Sequence, residues 1–501
     1  MLKQNTMKQL LLYLTFFLTI TVVHGQKQGN IWYFGNKAGV DFNTGSPTAL
    51  LNGQLAFPIG YGHNEGTSSI ADSSGSLLFY SDGMTVWNKN HQVMQNGTGL
   101  LGNFSSTQSS IIVPDPANPN RYYYLFTVGS EFCCGGNISD GLRYSKIDIC
   151  LDYAKGGINT TEKNIKLVDT VAEKIAVTRH SNKTDYWVLT HKFYSSEFWA
   201  LHLSNNGIID TVITAIGAQH TGSSAGSQGQ LKFSPNGERI AIGANNGLDL
   251  LEVFDFDKTT GVVSNCLSLY KPNNDKASIY GVEFSSDNSI LYVSGMSSSG
   301  VIYSFLVQYD LNAGGGSLTA INSSMSEIYH NTGGIVGGRG LQIAPDNKIY
   351  WISSNISNPS GTLAVVNNPN ILGLGCNYQD QSVSLGGRQG FSTLPSFIAG
   401  FDYSNNLIKC RAEGIDETSE EAFISVYPNP VKIHTTLKSK ETFENATLTV
   451  YNSYGQQVNQ IKNVFGTEVT LYRGNLSSGL YFVRLTQENK QMVTMKLIIA
   501  D

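Results

Sequence analysis

Three stretches of this chain repeat one local pattern: an apolar strand, a tight turn built from Ser, Pro, Asp, Asn and Gly, and a second apolar strand. They are Leu231-Lys-Phe-Ser-Pro-Asn-Gly-Glu-Arg-Ile240, Val282-Glu-Phe-Ser-Ser-Asp-Asn-Ser-Ile290 and Leu341-Gln-Ile-Ala-Pro-Asp-Asn-Lys-Ile349. A period of two puts Leu231 and Phe233 on one side and Lys232 on the other. Pro235 and Pro345 preset φ for turns completed by Asn236-Gly237 and Asp346-Asn347. Looser copies begin at Ile70, Ile111 and Ile175. The six anchors Ile70, Ile111, Ile175, Leu231, Val282 and Leu341 lie 41, 64, 56, 51 and 59 residues apart, and each interval holds further strand-like runs such as Leu250–Phe256. Four strands per unit, stretched by loops, is the pattern of a β-propeller.

A seventh unit assembles from two distant stretches, Ile31-Trp-Tyr-Phe34 and Gly39–Phe42 with Phe391–Ile398 and Ala399–Tyr403. Pairing these first strands with the last ones closes the ring and removes two unpaired sheet edges. The expected fold is therefore all-β: a seven-bladed propeller over residues 26–403. Six or eight blades, or a pair of stacked sandwiches, are the alternatives. Composition agrees, because 52 Gly, 25 Tyr and 23 Phe accompany only 14% charged residues, too few for long solvated helices.

Residues 1–25 read as a signal peptide, with Lys3 and Lys8 before a 14-residue apolar stretch, Leu10–Val23, and a small-residue exit at Val23-His24-Gly25. Cleavage is expected before Gln26, and the apolar stretch falls short of the roughly 20 residues that span a bilayer. No transmembrane segment is expected after its removal, so the chain reads as secreted, extracellular or held at the outer cell surface. Export permits disulfides. Cys376 with Cys410 is the expected bridge, and Cys150 with Cys133 or Cys134 a second. A net charge of −5 without a Lys/Arg run removes the electrostatic source of nucleic-acid or anionic-lipid binding.

From Ser404 to Ala422 acidic residues cluster at Glu413, Asp416, Glu417, Glu420 and Glu421, as in a solvated linker. Alternating strands resume in residues 423–501, at Phe423–Tyr427, Ala446–Tyr451, Glu468–Leu471, Leu480–Leu485 and Met492–Ile499. In the last run Val493, Met495, Leu497 and Ile499 point one way and Thr494 and Lys496 the other. Within this region lie Val426-Tyr427-Pro428-Asn429-Pro430-Val431, then Leu448-Thr-Val-Tyr-Asn-Ser-Tyr-Gly455, then Leu476-Ser-Ser-Gly479-Leu-Tyr481-Phe-Val-Arg-Leu485, and finally Lys496-Leu-Ile-Ile499. In that order they resemble the type A sorting domain of the type IX secretion system of Bacteroidetes. The resemblance implies a small immunoglobulin-like β-sandwich, the type IX secretion machinery as partner, and passage across the outer membrane. The stretches Ile31–Gly39, Asp82–Asn88, Gly386-Gly-Arg388 and Leu394-Pro-Ser-Phe397 similarly resemble the propeller region of exported Bacteroidetes proteins, some linked to gliding motility; this brings no catalytic residues.

One set of polar residues precedes the inner strands: Glu65, Gln108, Lys174, Gln228, Tyr280, Arg339 and Gln389, with Arg388 beside the last. If the inner strands line an axial channel, these residues ring one mouth of it, either as a binding site or as a solvated rim. Arg339 or Arg388 would suit a ligand carboxylate. The favoured function is a surface module binding a glycan, a peptide or an envelope protein. An exported carbohydrate-active enzyme using Glu65 and Glu173, and a structural or motility-linked component, are the other readings. Gly222-Ser-Ser224-Ala-Gly226 fits a nucleophile elbow and Gly97-Thr-Gly99-Leu-Leu-Gly102 a dinucleotide loop, but each needs a following helix where the sequence reads as strand or turn. Asp255, Asp257 and Asp310 lack the spacing of a calcium loop. No catalytic residue, metal site or cofactor is therefore assigned, and calcium stays unsupported.

Overall fold

The structure is a computed structural model, and it describes residues 26–56, 65–130, 140–221, 224–245, 248–270, 272, 277–297, 303–331, 339–352, 360–403, 410, 424–487 and 490–501. The signal peptide, Cys133, Cys134 and, apart from Cys410, the acidic linker lie outside them. The chain divides into two compact units, Met1–Cys410 and Arg411–Asp501.

The repeated turns form as their residues require. Gly237, Asn288 and Asn347 have φ of 75°, 66° and 61°, a left-handed conformation that only Gly and Asn adopt at small cost. Each donates its N–H to the carbonyl three residues back, on Ser234, Ser285 and Ala344, at 2.7, 2.9 and 2.9 Å. The paired strands then follow.

Among the described residues of the first unit, seven antiparallel modules run in chain order. The first is β1 (Ile31–Phe34), β2 (Ala38–Asp41) and β3 (Thr48–Leu50); the second is β4 (Ser68–Ala71), β5 (Leu77–Ser81), β6 (Thr85–Asn88) and β7 (Val93–Thr98). The third holds β8 (Ser110–Pro114), β9 (Tyr122–Val128), β10 (Leu142–Asp148), β11 (Gly157–Ile158) and β12 (Ile165–Val168). A single parallel pairing, Gly157 with Gln95, joins it to the second. The fourth is β13 (Ala176–Arg179), β14 (Tyr186–His191), β15 (Glu197–Ser204) and β16 (Gly207–Ala215); the fifth is β17 (Leu231–Phe233), β18 (Arg239–Ala244), β19 (Leu250–Phe256) and β20 (Val263–Ser268). The sixth is β21 (Ala277–Phe284), β22 (Ile290–Ser297), β23 (Ser304–Asp310) and β24 (Ser326–Asn331), and the seventh β25 (Leu341–Ile343), β26 (Ile349–Trp351), β27 (Thr362–Val366) and β28 (Tyr378–Ser384).

Alternation along these strands serves two cores rather than one core and solvent. In β22, Leu291 and Val293 pack with the fifth module while Ile290 and Tyr292 pack with the seventh. In β18, Ala241 faces the sixth module while Ile240 and Ile242 face the fourth. In β1, Trp32 and Phe34 join the seventh module while Ile31 and Tyr33 join the second. Every module thus shares an apolar cluster with both neighbours, and the cycle closes. This is a β-propeller.

Closure takes a different form from the expected strand ladder. Phe391–Ile398 is not part of a regular strand. It runs extended between the last and first modules, with Gly340 N–H donating to Ser392 O at 2.9 Å and Ser396 N–H to Thr67 O at 2.8 Å. The Trp32 ring lies 5.7 Å from Phe397 and 5.9 Å from Tyr350. A Cβ on Gly35 would come within 2.3 Å of Gln389 O, so only glycine lets the two backbones meet there. Beyond Phe397 the chain crosses one end of the axis, and Phe401 touches clusters from three separate parts of the ring. Asp402 pairs with Arg179 of β13 at 3.4 Å.

The disulfide differs from the sequence expectation. Cys410 is bonded to Cys150, their Cα atoms 5.0 Å apart, whereas Cys376 is a buried free thiol. The crossing segment explains this: it leaves the seventh module, where Cys376 packs with Trp351 and Tyr292, and ends against the third, where Cys150 lies. Cys150 is therefore not available to Cys133 or Cys134.

The second unit contains β29 (Ile424–Tyr427), β30 (His434–Asn452), β31 (Gln457–Tyr472), β32 (Gly479–Gln487) and β33 (Lys490–Ile499). β30 is much longer than the run Ala446–Tyr451 suggested. It pairs with β29 and β31 through one half and with β31 and β32 through the other, with register shifts between. The sheet so formed surrounds one core of Leu437, Leu448, Val450, Val483, Leu485, Leu497 and other apolar side chains. Leu497 and Ile499 are buried and Lys496 and Ile498 exposed, as alternation required.

Peptide mapping without reductant should recover Cys150 linked to Cys410, and Cys410→Ser should lower unfolding free energy by roughly 2–4 kcal/mol, since the bridge closes a very long loop. A Cys376–Cys410 peptide would refute the assignment.

Candidate functional site

The polar residues that precede the inner strands do converge, but they form a closed cluster on the axis rather than an open rim. Glu65 enters just before β4, and its carboxylate accepts a hydrogen bond from the Tyr280 hydroxyl of β21 at 2.5 Å, across the ring. Arg339, preceding β25, donates to Ser392 Oγ at 3.1 Å and lies over the Phe391 ring. Lys174 Nζ donates to the carbonyls of Ser227, Gln228 and Gly229 at 2.8, 2.6 and 2.8 Å. Glu173 accepts from Ser130 Oγ at 2.7 Å and from Thr107 N–H at 3.1 Å.

Two glutamines act as cross-ties. Gln108 donates to Ile175 O and Leu231 O at 2.9 and 3.1 Å and accepts from Leu231 N–H at 2.8 Å, reaching from the third module to the fifth. Gln230 repeats the device from the fifth to the seventh, accepting from Leu341 N–H at 2.9 Å and donating to Leu341 O at 3.2 Å. Gln230, not Gln228, holds this position. Gln228 lies two residues earlier; its side chain accepts from Asn245 Nδ2 at 3.4 Å, and its backbone carbonyl is one of those that receive Lys174. Toward the other end, Lys232 pairs with Glu283 at 3.2 Å and with Gln342, and Glu283 also accepts from Ile343 N–H at 3.1 Å. A cavity of about 30 Å³ between Gln108, Glu283 and the crossing segment at Phe397–Phe401 has room for about two waters.

Arg388 and Gln389 stand apart from the cluster. Arg388 Nη2 donates to Leu51 O at 3.0 Å, and Gln389 O accepts from Asn36 N–H at 2.8 Å, so both serve closure of the ring.

Burial sets the protonation of this core. It pushes the Glu65 carboxyl up to about 8, helped by the charge of Glu173 and opposed by the Tyr280 hydrogen bond and Arg339. Burial likewise raises Glu173, and it lowers Lys174 to about 7 against the pull of Glu173. Two acids and two bases share the space, the balance that makes buried charge tolerable. Beside Lys174, His191 is held down at about 3 and His220 is also lowered, chiefly by burial; their rings stack at 3.8 Å as a neutral pair.

The other sequence candidates have local duties. Gly97 lies in β7 and Gly99 just after it, in a turn with φ 71°. Ser224 opens a 3-10 turn, Ser224–Ser227, whose last carbonyl receives Lys174. Asp257 accepts from Thr259 N–H at 2.8 Å and Asp310 from Asn312 N–H at 2.9 Å, each inside its own turn.

In the second unit, Asn429 does what its neighbours Pro428 and Pro430 cannot. Its side chain donates to Lys496 O and accepts from Ile498 N–H, both at 2.9 Å, pairing with the backbone of β33. Tyr427 is exposed, and Tyr481 of β32 donates to Ser477 O at 2.9 Å. Gly479 begins β32.

Residues 425–500 match the family model of the secretion system C-terminal sorting domain. The chain thus carries a type IX sorting domain and is exported to the cell surface or the extracellular space. No curated protein matches the sequence. Among solved structures, hydrazine synthase of Kuenenia stuttgartiensis is similar at 13% identity, TM-score 0.41, over 67% of this chain and 86% of that one. The β-propeller domain of Cps50 (Swd1) from Myceliophteria thermophila is similar at 10% identity, TM-score 0.38, over 68% and 96%. The periplasmic gluconolactonase PpgL of Pseudomonas aeruginosa follows at 12%, 0.34, and 77% and 93%. Likeness at this level says nothing of ligand or activity. Among the described residues no helix is long and apolar enough to cross a membrane.

Because Glu65 binds its proton more tightly folded than unfolded, its contribution is complete below about pH 4.5 and is lost as pH rises toward 8. Neutral His191 and His220 act in the opposite sense, adding stability as pH rises toward 6.5, so the test is a difference: the melting temperature of the wild type relative to Glu65→Gln should fall between pH 5 and 7. An identical slope in the variant would contradict the buried placement.

Proposed function

We propose that this is an exported binding protein: residues 1–25 direct it out of the cytoplasm, the sorting domain carries it across the outer membrane, and the propeller holds a ligand on its surface without turning it over. The observation that carries this reading is the closure of the axis. Glu65 and Glu173, the carboxylates a hydrolase would use there, are buried, both raised by that burial, and committed to Tyr280, Ser130 and Thr107. Acid and base catalysis needs groups that reach a substrate. A rigid ring of modules with loops on its outside is instead a scaffold for recognition.

Two experiments test the proposal. Deleting residues 425–500 should leave the protein in the periplasm; undiminished surface or medium levels would remove the role given to this domain. The exported full-length protein should bind saturably on glycan or peptide arrays and return the bound compound chemically unchanged. Cleavage of a glycan by the wild type that disappears in Glu65→Gln or Glu173→Gln would establish the enzyme reading instead.

A further inference from the structure

The third and fourth modules leave between them a groove of about 620 Å³, within the size range of small-ligand sites. Tyr122 of β9, Tyr144 of β10 and Asn118 in the β8–β9 turn line one side; Asn205 and Asn206, in the β15–β16 turn, line the other. The tyrosines are half-buried and the three asparagines exposed.

The floor is pre-set by charge. Lys146 Nζ sits 3.0 Å from Asp115 and 4.0 Å from Glu162, and 5.2 Å from the ring centroids of both Tyr122 and Tyr124. The Tyr144 ring in turn lies 5.2 Å from that of Tyr124. The cation thus fixes the aromatic wall and is itself neutralised. Arg121, the other base nearby, is bound to Asp148 at 2.7 Å. A phosphate, sulfate or carboxylate would find no spare positive charge here. Among the described residues, the side-chain amides of Asn118, Asn205 and Asn206 and the hydroxyls of Tyr122 and Tyr144 make no hydrogen bond within the protein. Each amide offers two donors and an acceptor, the pattern that adjacent sugar hydroxyls complement, while a tyrosine face suits the C–H face of a pyranose ring.

We propose that this groove binds a segment of neutral glycan, with Tyr122 and Tyr144 as the stacking wall and Asn118, Asn205 and Asn206 reading hydroxyls. The assignment rests on the binding reading above and gives it a ligand class and a place. It also moves recognition from the axis to the flank of the ring.

The test is calorimetric titration of the full-length exported protein with soluble gluco-, manno-, xylo- and chitooligosaccharides, with oligouronates as the charged control. At least one neutral series should bind saturably. Tyr122→Ala and Tyr144→Ala should each weaken it roughly tenfold, about 1.4 kcal/mol. The double substitution Asn205→Ala and Asn206→Ala, in an exposed turn where folding is not at risk, should do the same with the melting temperature unchanged. Three results would overturn the proposal: no binding by any neutral series, binding indifferent to all these substitutions, or tighter binding of the oligouronates. Peptide arrays separate that failure from failure of the broader reading, because saturable peptide binding would leave a binding protein without a glycan groove.

Discussion

A disc of radial sheets is stable only if the last sheet meets the first, because every sheet here is apolar on both sides and an unclosed ring would expose two such faces. In this protein the contact is made by Trp32, wedged between Phe397 and Tyr350, and by the extended segment that carries Phe397. Burying a side chain of this size is worth a few kcal/mol, and the backbone bonds around Ser392 and Ser396 fix the register. The same segment continues across the axis, so one stretch of chain both shuts the ring and caps its centre.

The capped centre explains the unusual polarity of the inner strands. Seven strand starts crowd toward one line, and their backbone groups need partners that neighbouring strands cannot supply. Gln108 and Gln230 supply them at a distance of two modules, which an apolar residue could not do. Glu65, Glu173, Lys174 and Arg339 complete a charge-balanced core. Such a network loses more from one missing partner than any single hydrogen bond suggests, which makes the axis a poor place for a ligand that comes and goes. The flank between the third and fourth modules carries no such constraint, and its amides remain uncommitted.

Much of this was legible in the residues. Turn chemistry at Asn236-Gly237 and Asp346-Asn347 located the hairpins, and the apolar anchors Ile70, Ile111, Leu231, Val282 and Leu341 fall inside β4, β8, β17, β21 and β25, with Ile175 just before β13. What the sequence concealed were contacts between residues far apart in the chain. Gln228 and Gln230 are equally polar and both just precede β17, and only the position of Leu341 singles out the second. The pairing of Cys150 with Cys410 depends on a segment that crosses the ring, and no local pattern reveals that crossing. Burial of Lys232 was hidden because alternation tells which side a residue faces, not whether that side is wet. The flanking groove was equally silent, since its two walls come from turns nearly ninety residues apart.

Hydrogen–deuterium exchange across Phe391–Tyr403 tests the closure of the ring most directly. If this segment seals the disc and caps its axis, the amides of Ser396 and Phe401 should exchange as slowly as those of β4 and β25. Exchange at the rate of an exposed loop, with β4 and β25 still protected, would mean that the ring is held together by something else.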